Sequence, residues 1–225
     1  MVSTDSSFSP AIQDYAKAIY ALEQREDGPV STNALAERLE VTPGSASGMV
    51  RRLCELGLVS HAPYHGVQLT GAGERVALEV LRHHRLLELY LAQSLGVPWD
   101  RVHDEAEVLE HVLSEELEAL IADKLGNPTH DPHGDPIPTA DLVIEERATE
   151  RLSDQPVGSV GRFARVSDAD PAMLRYLGER GIAPGADYEV VDRQPFDGPI
   201  FVRFGEQVHA LGGTLAAAMR VEVER

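Results

Sequence analysis

Cysteine is nearly absent from the chain: Cys54 stands alone among 225 residues. A single thiol closes no internal disulfide and builds no cysteine-based zinc site, and its isolation agrees with a reducing compartment. Long apolar runs are missing too, and no stretch approaches the roughly 18 apolar residues of a membrane span. The Ser-rich start from Met1 to Ser9 lacks the charged segment and apolar core of a secretion signal. A cytoplasmic protein with no membrane contact is expected. Positive charge is scarce, because 20 Lys and Arg face 37 Asp and Glu, a formal net charge of -17. A nucleic-acid binder is expected to show a basic footprint, so a DNA reading has to come from local pattern. Between Asp104 and Leu120 the shortage is complete: Asp104, Glu105, Glu107, Glu110, Glu115, Glu116 and Glu118 share the stretch with no Lys or Arg. So much like charge is either a solvated face or one relieved by divalent cations.

What is present is enough apolar content for two ordinary domains. From Pro10 to Glu23, Ile12, Tyr15, Ala16, Ile19, Tyr20 and Leu22 recur at three and four, which predicts an amphipathic helix. Ser31 is set to cap a second helix ending near Leu39, and Thr42 with Pro43 opens a third that stops at Gly57. Two short helices joined by a tight turn are a helix-turn-helix, whose later helix reads the major groove. Leu58 to His61 and Val67 to Thr70 flank Pro63-Tyr64-His65-Gly66 as a hairpin, the wing of a winged helix. A long helix is expected from Thr70 to Leu95 and another from His103 to about Leu125. The stripe Val108, Val112, Leu113, Leu117, Leu120 and Ile121 is wide enough to pair with a second subunit. A linker follows, its charged part from Ala140 to Arg151 read as helical. Beyond it, β-prone runs at 159–166, 187–193, 200–204, 207–211 and 219–223, with a helix near 170–181, predict a small barrel. The fold class is mainly α with a small β domain: a winged helix-turn-helix over 1–70, a helical dimerisation and metal-binding domain over 71–140, a linker over 141–155 and an SH3-like barrel over 156–225.

Metal-type donors fall on three of these helices. Glu107, Glu110 and His111 sit at i, i+3 and i+4, His84 and Glu88 at i and i+4, with His103 beginning the acidic run and Asp14 on the first helix. The set is carboxylate and imidazole without sulfur, which suits Mn²⁺ or Fe²⁺. Cys54 reads as a small buried apolar residue, and His130 and His133 read as residues of a Pro-rich loop.

The runs Asp14-Tyr15 with Ile19-Tyr20-Ala21-Leu22-Glu23, Leu35-Ala36-Glu37-Arg38-Leu39, His84-Arg85-Leu86-Leu87-Glu88 and His103-Asp104-Glu105-Ala106 with Glu110-His111 resemble the diphtheria toxin repressor family. These are metal-activated transcriptional repressors, and the resemblance extends over nearly the whole chain. It implies a regulatory metal site of Asp14, Glu107, Glu110 and His111, with Asp14 and Glu107 standing where iron-responsive members carry methionine and cysteine. That is the pattern of the manganese-responsive branch. It further implies an ancillary site of His84, Glu88 and His103, hence two ions per subunit, with Asp170 matching a ligand lent by the C-terminal domain and Met173 replacing its companion. Lys17 stands where short manganese regulators have a further glutamate.

The expectation is a non-enzymatic, Mn²⁺-activated homodimeric repressor of metal-uptake genes, with Fe²⁺ as the other possible activator, bound to double-stranded operator DNA. The third helix leads with the small face Gly44, Ser45, Ala46, Ser47 and Gly48, which admits close approach to a groove floor. Thr42, Pro43, Ser45, Ser47, Arg51 and Arg52 are its candidate DNA contacts, and Ser31, Thr32 and Asn33 set a helix N-terminus where a phosphate would sit. Two rivals are a carboxylate di-metal enzyme, whose duplicated Glu-x-x-His signature is missing, and a winged-helix regulator of small organic ligands.

Overall fold

The computed structural model describes residues 8–26, 28–62, 66–196 and 198–224. They form two compact units: the chain up to His83 with Glu110–Leu113 and Pro138–Val143, and His84–Leu109 with Ser114–Ile137 and Ile144–Arg225.

In the first unit, α1 (Pro10–Glu26), α2 (Thr32–Arg38) and α3 (Pro43–Glu55) pack around Ile19, Leu35, Leu53 and Leu58, all at most 2% exposed. The predicted caps form. Ser31 Oγ accepts from Ala34 N at 3.0 Å, and Thr42 Oγ1 accepts from Ser45 N at 3.2 Å. Between α2 and α3 the chain turns tightly through Glu40 at φ 53°, with Val41 N bonded to Ala36 O at 3.0 Å. β1 (Val59–Ala62) and β2 (Gly66–Leu69) pair antiparallel, Val59 opposite Leu69. That is the expected wing; Pro63–His65, its expected turn, lies outside the described residues. α4 (Gly71–Leu95) follows.

The expected single helix from His103 to Leu125 is two. α5 (Val102–Leu109) stops before Glu110, and α6 (Glu115–Lys124) restarts from Ser114, whose hydroxyl accepts from Leu117 N at 3.3 Å. Glu115, Glu116 and Glu118 then sit in a first helical turn, where the backbone dipole favours negative charge. This accommodates part of the acidic run without a cation. The helix expected over 140–151 is also absent. Its later part is drawn out beside the last strand, where Arg220 donates to Thr149 Oγ1 and O at 2.8 and 2.7 Å, and Arg147 meets Glu222 at 3.3 Å.

The C-terminal sheet is wholly antiparallel in the order β3 (Glu150–Arg151), β8 (Met219–Val223), β4 (Val160–Val166), β5 (Asp187–Arg193), β6 (Ile200–Phe204), β7 (Gln207–Leu211). α7 (Pro171–Gly178) and the short α8 (Gly213–Ala218), which the sequence did not announce, complete its core around Phe163, Leu177 and Leu211. Asp197, between β5 and β6, lies outside the described residues.

The stretch read as a Pro-rich loop is fixed against this sheet. β4 breaks register between Phe163 and Arg165, and the Ala164 carbonyl lies where a Cβ on Gly134 would be only 2.0 Å away. Only glycine fits there, and its φ of 90° is one that glycine adopts at little cost. Val166 N bonds to His133 O at 3.0 Å, and Asp131 Oδ1 accepts from His133 N and Asp135 N at 2.8 and 3.0 Å. Asp131 and His133 are therefore buried.

Candidate metal centres and nucleic-acid interface

The first donor cluster lies in the first unit. α1 presents Gln13, Asp14 and Lys17, and the turn after α5 presents Glu110 and His111. His111 Nε2 is 2.9 Å from Asp14 Oδ1 and 3.5 Å from Glu110 Oε1. Its other nitrogen, Nδ1, is 2.7 Å from Gln13 Oε1. With Nδ1–H donating to that amide oxygen, Nε2 is left as a lone-pair donor aimed at the two carboxylates, the usual outer-shell arrangement of a ligating histidine. Glu110 is 1% exposed, Lys17 Nζ is 2.6 Å from its Oε1, and His83 Nδ1 is 3.1 Å from its backbone oxygen. Gln13 and His83 were not picked out from sequence; a polar residue beside Asp14 and a histidine beside His84 were the only signals.

The second cluster lies in the second unit. His84 and Glu88, one turn apart on α4, meet His103 from α5. His84 Nε2 is 3.0 Å from Glu88 Oε1 and 3.1 Å from His103 Nδ1, which is 3.3 Å from Glu88 Oε1. An ion held at about 2.1 Å sets neighbouring ligands about 3 Å apart, so these three atoms fit one ion. A carboxylate between β4 and α7 of the same unit completes the edge: Asp168 Oδ2 is 3.3 Å from His103 Nδ1. Asp168 was missed in favour of Asp170, whose carboxylate instead caps α7 by accepting from Ala172 N at 2.9 Å. Glu107 is also in this unit, its Oε1 3.8 Å from His103 Nε2.

Electrostatics in the second cluster are those of a site prepared for positive charge. Asp168 and then Glu88 hold the His103 ring protonated, raising its pKa to about 10 against the opposing effect of burial. Burial works to raise the Glu88 carboxyl, but hydrogen bonding from His103, His133 and His84 overcomes it and holds Glu88 well below the ordinary range. Asp168 is likewise lowered by His103 against its burial. In the absence of metal, protons on imidazoles neutralise these carboxylates.

The face of α3 is open. Thr42, Pro43, Gly44, Ser45, Ser47, Gly48, Arg51 and Arg52 are exposed, as are Ser31 and Asn33, while Thr32 is half-buried. A Cβ on Gly48 would meet nothing within 4 Å, so the packing of this chain does not require glycine there. Thr42 Oγ1 donates to Ser45 Oγ at 3.1 Å and Ser47 Oγ to Pro43 O at 2.8 Å, leaving each serine oxygen free to accept further bonds. Arg52 pairs with Glu55 at 3.2 Å. Cys54, expected to be buried, is half-buried.

Three family models match along the chain. Residues 7–67 match the family model of the iron dependent repressor N-terminal DNA binding domain. Residues 70–139 match that of the iron dependent repressor metal binding and dimerisation domain, and 150–223 the FeoA domain. The chain is 32% identical to the iron-dependent repressor IdeR of Mycobacterium tuberculosis, over 92% of this chain and 95% of that one. It is 30% identical to the diphtheria toxin repressor of Corynebacterium diphtheriae, over the same shares. Among solved structures, a manganese-dependent transcriptional repressor in complex with manganese is 44% identical, with a TM-score of 0.86 over 95% of this chain and all of that one.

Proposed function

The chain belongs to the iron-dependent repressor family of metal-dependent transcriptional regulators, and from that premise we propose that it is a Mn²⁺-activated repressor of metal-uptake genes. It acts in the cytoplasm as a homodimer on double-stranded operator DNA. Residues 1–70 read the DNA, 71–140 bind metal and dimerise, and 141–155 link them to an SH3-like domain over 156–225.

One observation carries the reading: His111 Nε2, oriented by Gln13, faces Asp14 at 2.9 Å and Glu110 at 3.5 Å. Asp14 lies on the helix that packs against α2 and α3 in the core of the DNA-binding unit. Mn²⁺, when bound, supplies the charge that holds Asp14 to Glu110 and His111. Without that charge Asp14 loses this tie while Lys17 keeps its pair with Glu110, and α1 samples positions that do not set α3 for the groove. His84, Glu88 and His103, with Asp168 in place of Asp170, hold a second ion. Carboxylates rather than sulfur at positions 14 and 107 favour manganese.

Toward DNA, α3 offers its small face to the floor of the major groove, with Ser45 and Ser47 on base edges or phosphates and Arg51 and Arg52 on phosphates. Gly48 costs about 1 kcal/mol of helix stability relative to alanine. With no internal neighbour requiring it, its value lies in the approach of an external partner. The likeness to IdeR favours Fe²⁺ as a second candidate activator. Anaerobic titration of Mn²⁺, Fe²⁺ and Zn²⁺ while following binding to promoter DNA tests the proposal. Activation at the lowest free concentration by Mn²⁺ supports it, and DNA binding indifferent to all three overturns it.

A further inference from the structure

We infer that Glu23 carries the metal-held position of α1 to the wing, so that the regulatory ion sets the wing as well as α3 for DNA. The inference rests on the reading of Asp14 as a ligand of that ion.

The outer edge of the wing is closed by α1 and the chain that follows it. β1 pairs with one edge of β2. On the other edge, Val67 N donates to Val30 O at 2.8 Å and Val30 N to Val67 O at 2.9 Å. Two residues further along β2, Leu69 N faces the same way and donates to Glu23 Oε1 at 3.0 Å. A half-buried strand amide needs an acceptor, and here a side chain of α1 supplies what a neighbouring strand would. The packing is tight, because a Cβ on Gly66 would stand only 2.8 Å from the Val30 carbonyl oxygen.

The electrostatics single out the same bond. Burial pushes the Glu23 carboxyl up, the Leu69 N–H pulls it back, and the charge of Glu74 pushes it up again. The wing amide thus offsets part of the cost of keeping a carboxylate in this place.

Asp14 and Glu23 lie on one helix, nine residues apart, which at a helical rise spans about 13.5 Å. Between them Tyr15, Ala18, Ile19 and Leu22 are buried in the core of the DNA-binding unit. After Pro10 the helix contains no proline or glycine at which to kink. A displacement of α1 when Asp14 is not held therefore arrives at Leu69 too. A wing fixed in place adds backbone contacts of the kind that set a protein's register on the duplex. Glu23 acts through Leu69 and is a positioning residue.

The test uses the full chain with MnCl₂ alone, without DNA, and hydrogen-exchange mass spectrometry of the segment 66–69. Mn²⁺ is expected to slow exchange there by about fivefold or more in the wild type. Glu23→Leu, which removes the acceptor, should exchange fast and equally with and without Mn²⁺. Glu23→Gln keeps an oxygen for the Leu69 N–H and should restore the Mn²⁺ dependence. At saturating Mn²⁺, operator affinity should fall about fivefold or more in Glu23→Leu and recover in Glu23→Gln. Equilibrium dialysis should find the same Mn²⁺ bound per protomer in all three. A wild-type wing that exchanges at one rate whatever the Mn²⁺ overturns the inference, even where Glu23→Leu fails to fold. So does a Glu23→Leu variant with the wild-type Mn²⁺ dependence. Should operator binding still require Mn²⁺ in either case, the regulatory reading stands; operator binding indifferent to Mn²⁺ removes that reading as well.

Discussion

Lys17 Nζ lies 2.6 Å from Glu110 Oε1, with the glutamate side chain fully buried. An ammonium from the first helix thus neutralises a carboxylate that water cannot reach, at a position beside His111. Removing one partner of such a pair costs about 3 kcal/mol or more, because the other charge stays buried. Lys17→Met is expected to lower the stability of the metal-free protein by about 3 kcal/mol. Mn²⁺ should then raise the melting midpoint of the variant by more than that of the wild type. Thermal unfolding with and without Mn²⁺ checks this, and equal metal-induced shifts would remove Glu110 from the regulatory set.

Gly48 separates fold from function. Because a Cβ there meets nothing within 4 Å and the position faces solvent, Gly48→Gln should stabilise the protein by roughly 0.5 kcal/mol through helix propensity. The same change should weaken Mn²⁺-dependent operator binding at least tenfold by holding α3 off the groove. Denaturant unfolding and fluorescence anisotropy measure the two effects. Operator affinity equal to the wild type's would show that this face does not enter DNA.

The His103 ring gives a pH signature. Its folded pKa of about 10 lies above its ordinary 6.5, so its contribution to stability is complete below 6.5 and is lost as pH rises toward 10. Asp168, lowered by the same pairing, contributes above its ordinary 3.8 and fails only in acid. The metal-free melting midpoint should therefore fall between pH 6.5 and 10, and less steeply in His103→Gln. Mn²⁺ must displace the ring proton, so affinity at this cluster should rise over the same range. Identical slopes for variant and wild type would contradict the pairing.

Val108 on α5 and Leu117 and Leu120 on α6 are 72%, 48% and 60% exposed within one protomer. Apolar side chains this open on a metal-binding and dimerisation domain are expected to be covered by a second copy. Leu120→Glu should yield monomers by analytical ultracentrifugation and lose operator binding, while still binding Mn²⁺ at His84, Glu88 and His103. A stable dimer with full operator affinity would place the interface elsewhere.

The winged helix was legible because its signals are local. Ser31 and Thr42 were visible as caps, Pro43 as a first helical residue, and the wing as two short β-prone runs. The acidic stretch misled because apolar periodicity runs straight through 103–125, while the break depends on one serine. Ser114 followed by Glu115 and Glu116 was the available sign of a restart. Asp168 and Asp170 are equally plausible ligands on paper. Only the cap that Asp170 forms with Ala172 N, and the reach of Asp168 to His103, distinguish them. His133 was set aside with its Pro-rich surroundings, because its burial comes from a β4 bulge some thirty residues along the chain.

The central claim is that Asp14 and His111 convert metal binding into operator binding. The most direct measurement is the anisotropy of labelled promoter DNA during Mn²⁺ titration of wild type, Asp14→Ala and His111→Ala, with circular dichroism verifying folding. We expect tight, Mn²⁺-dependent binding by the wild type, with at least a tenfold loss in each variant at the same metal concentration. Folded variants that bind DNA with undiminished Mn²⁺ dependence would contradict it.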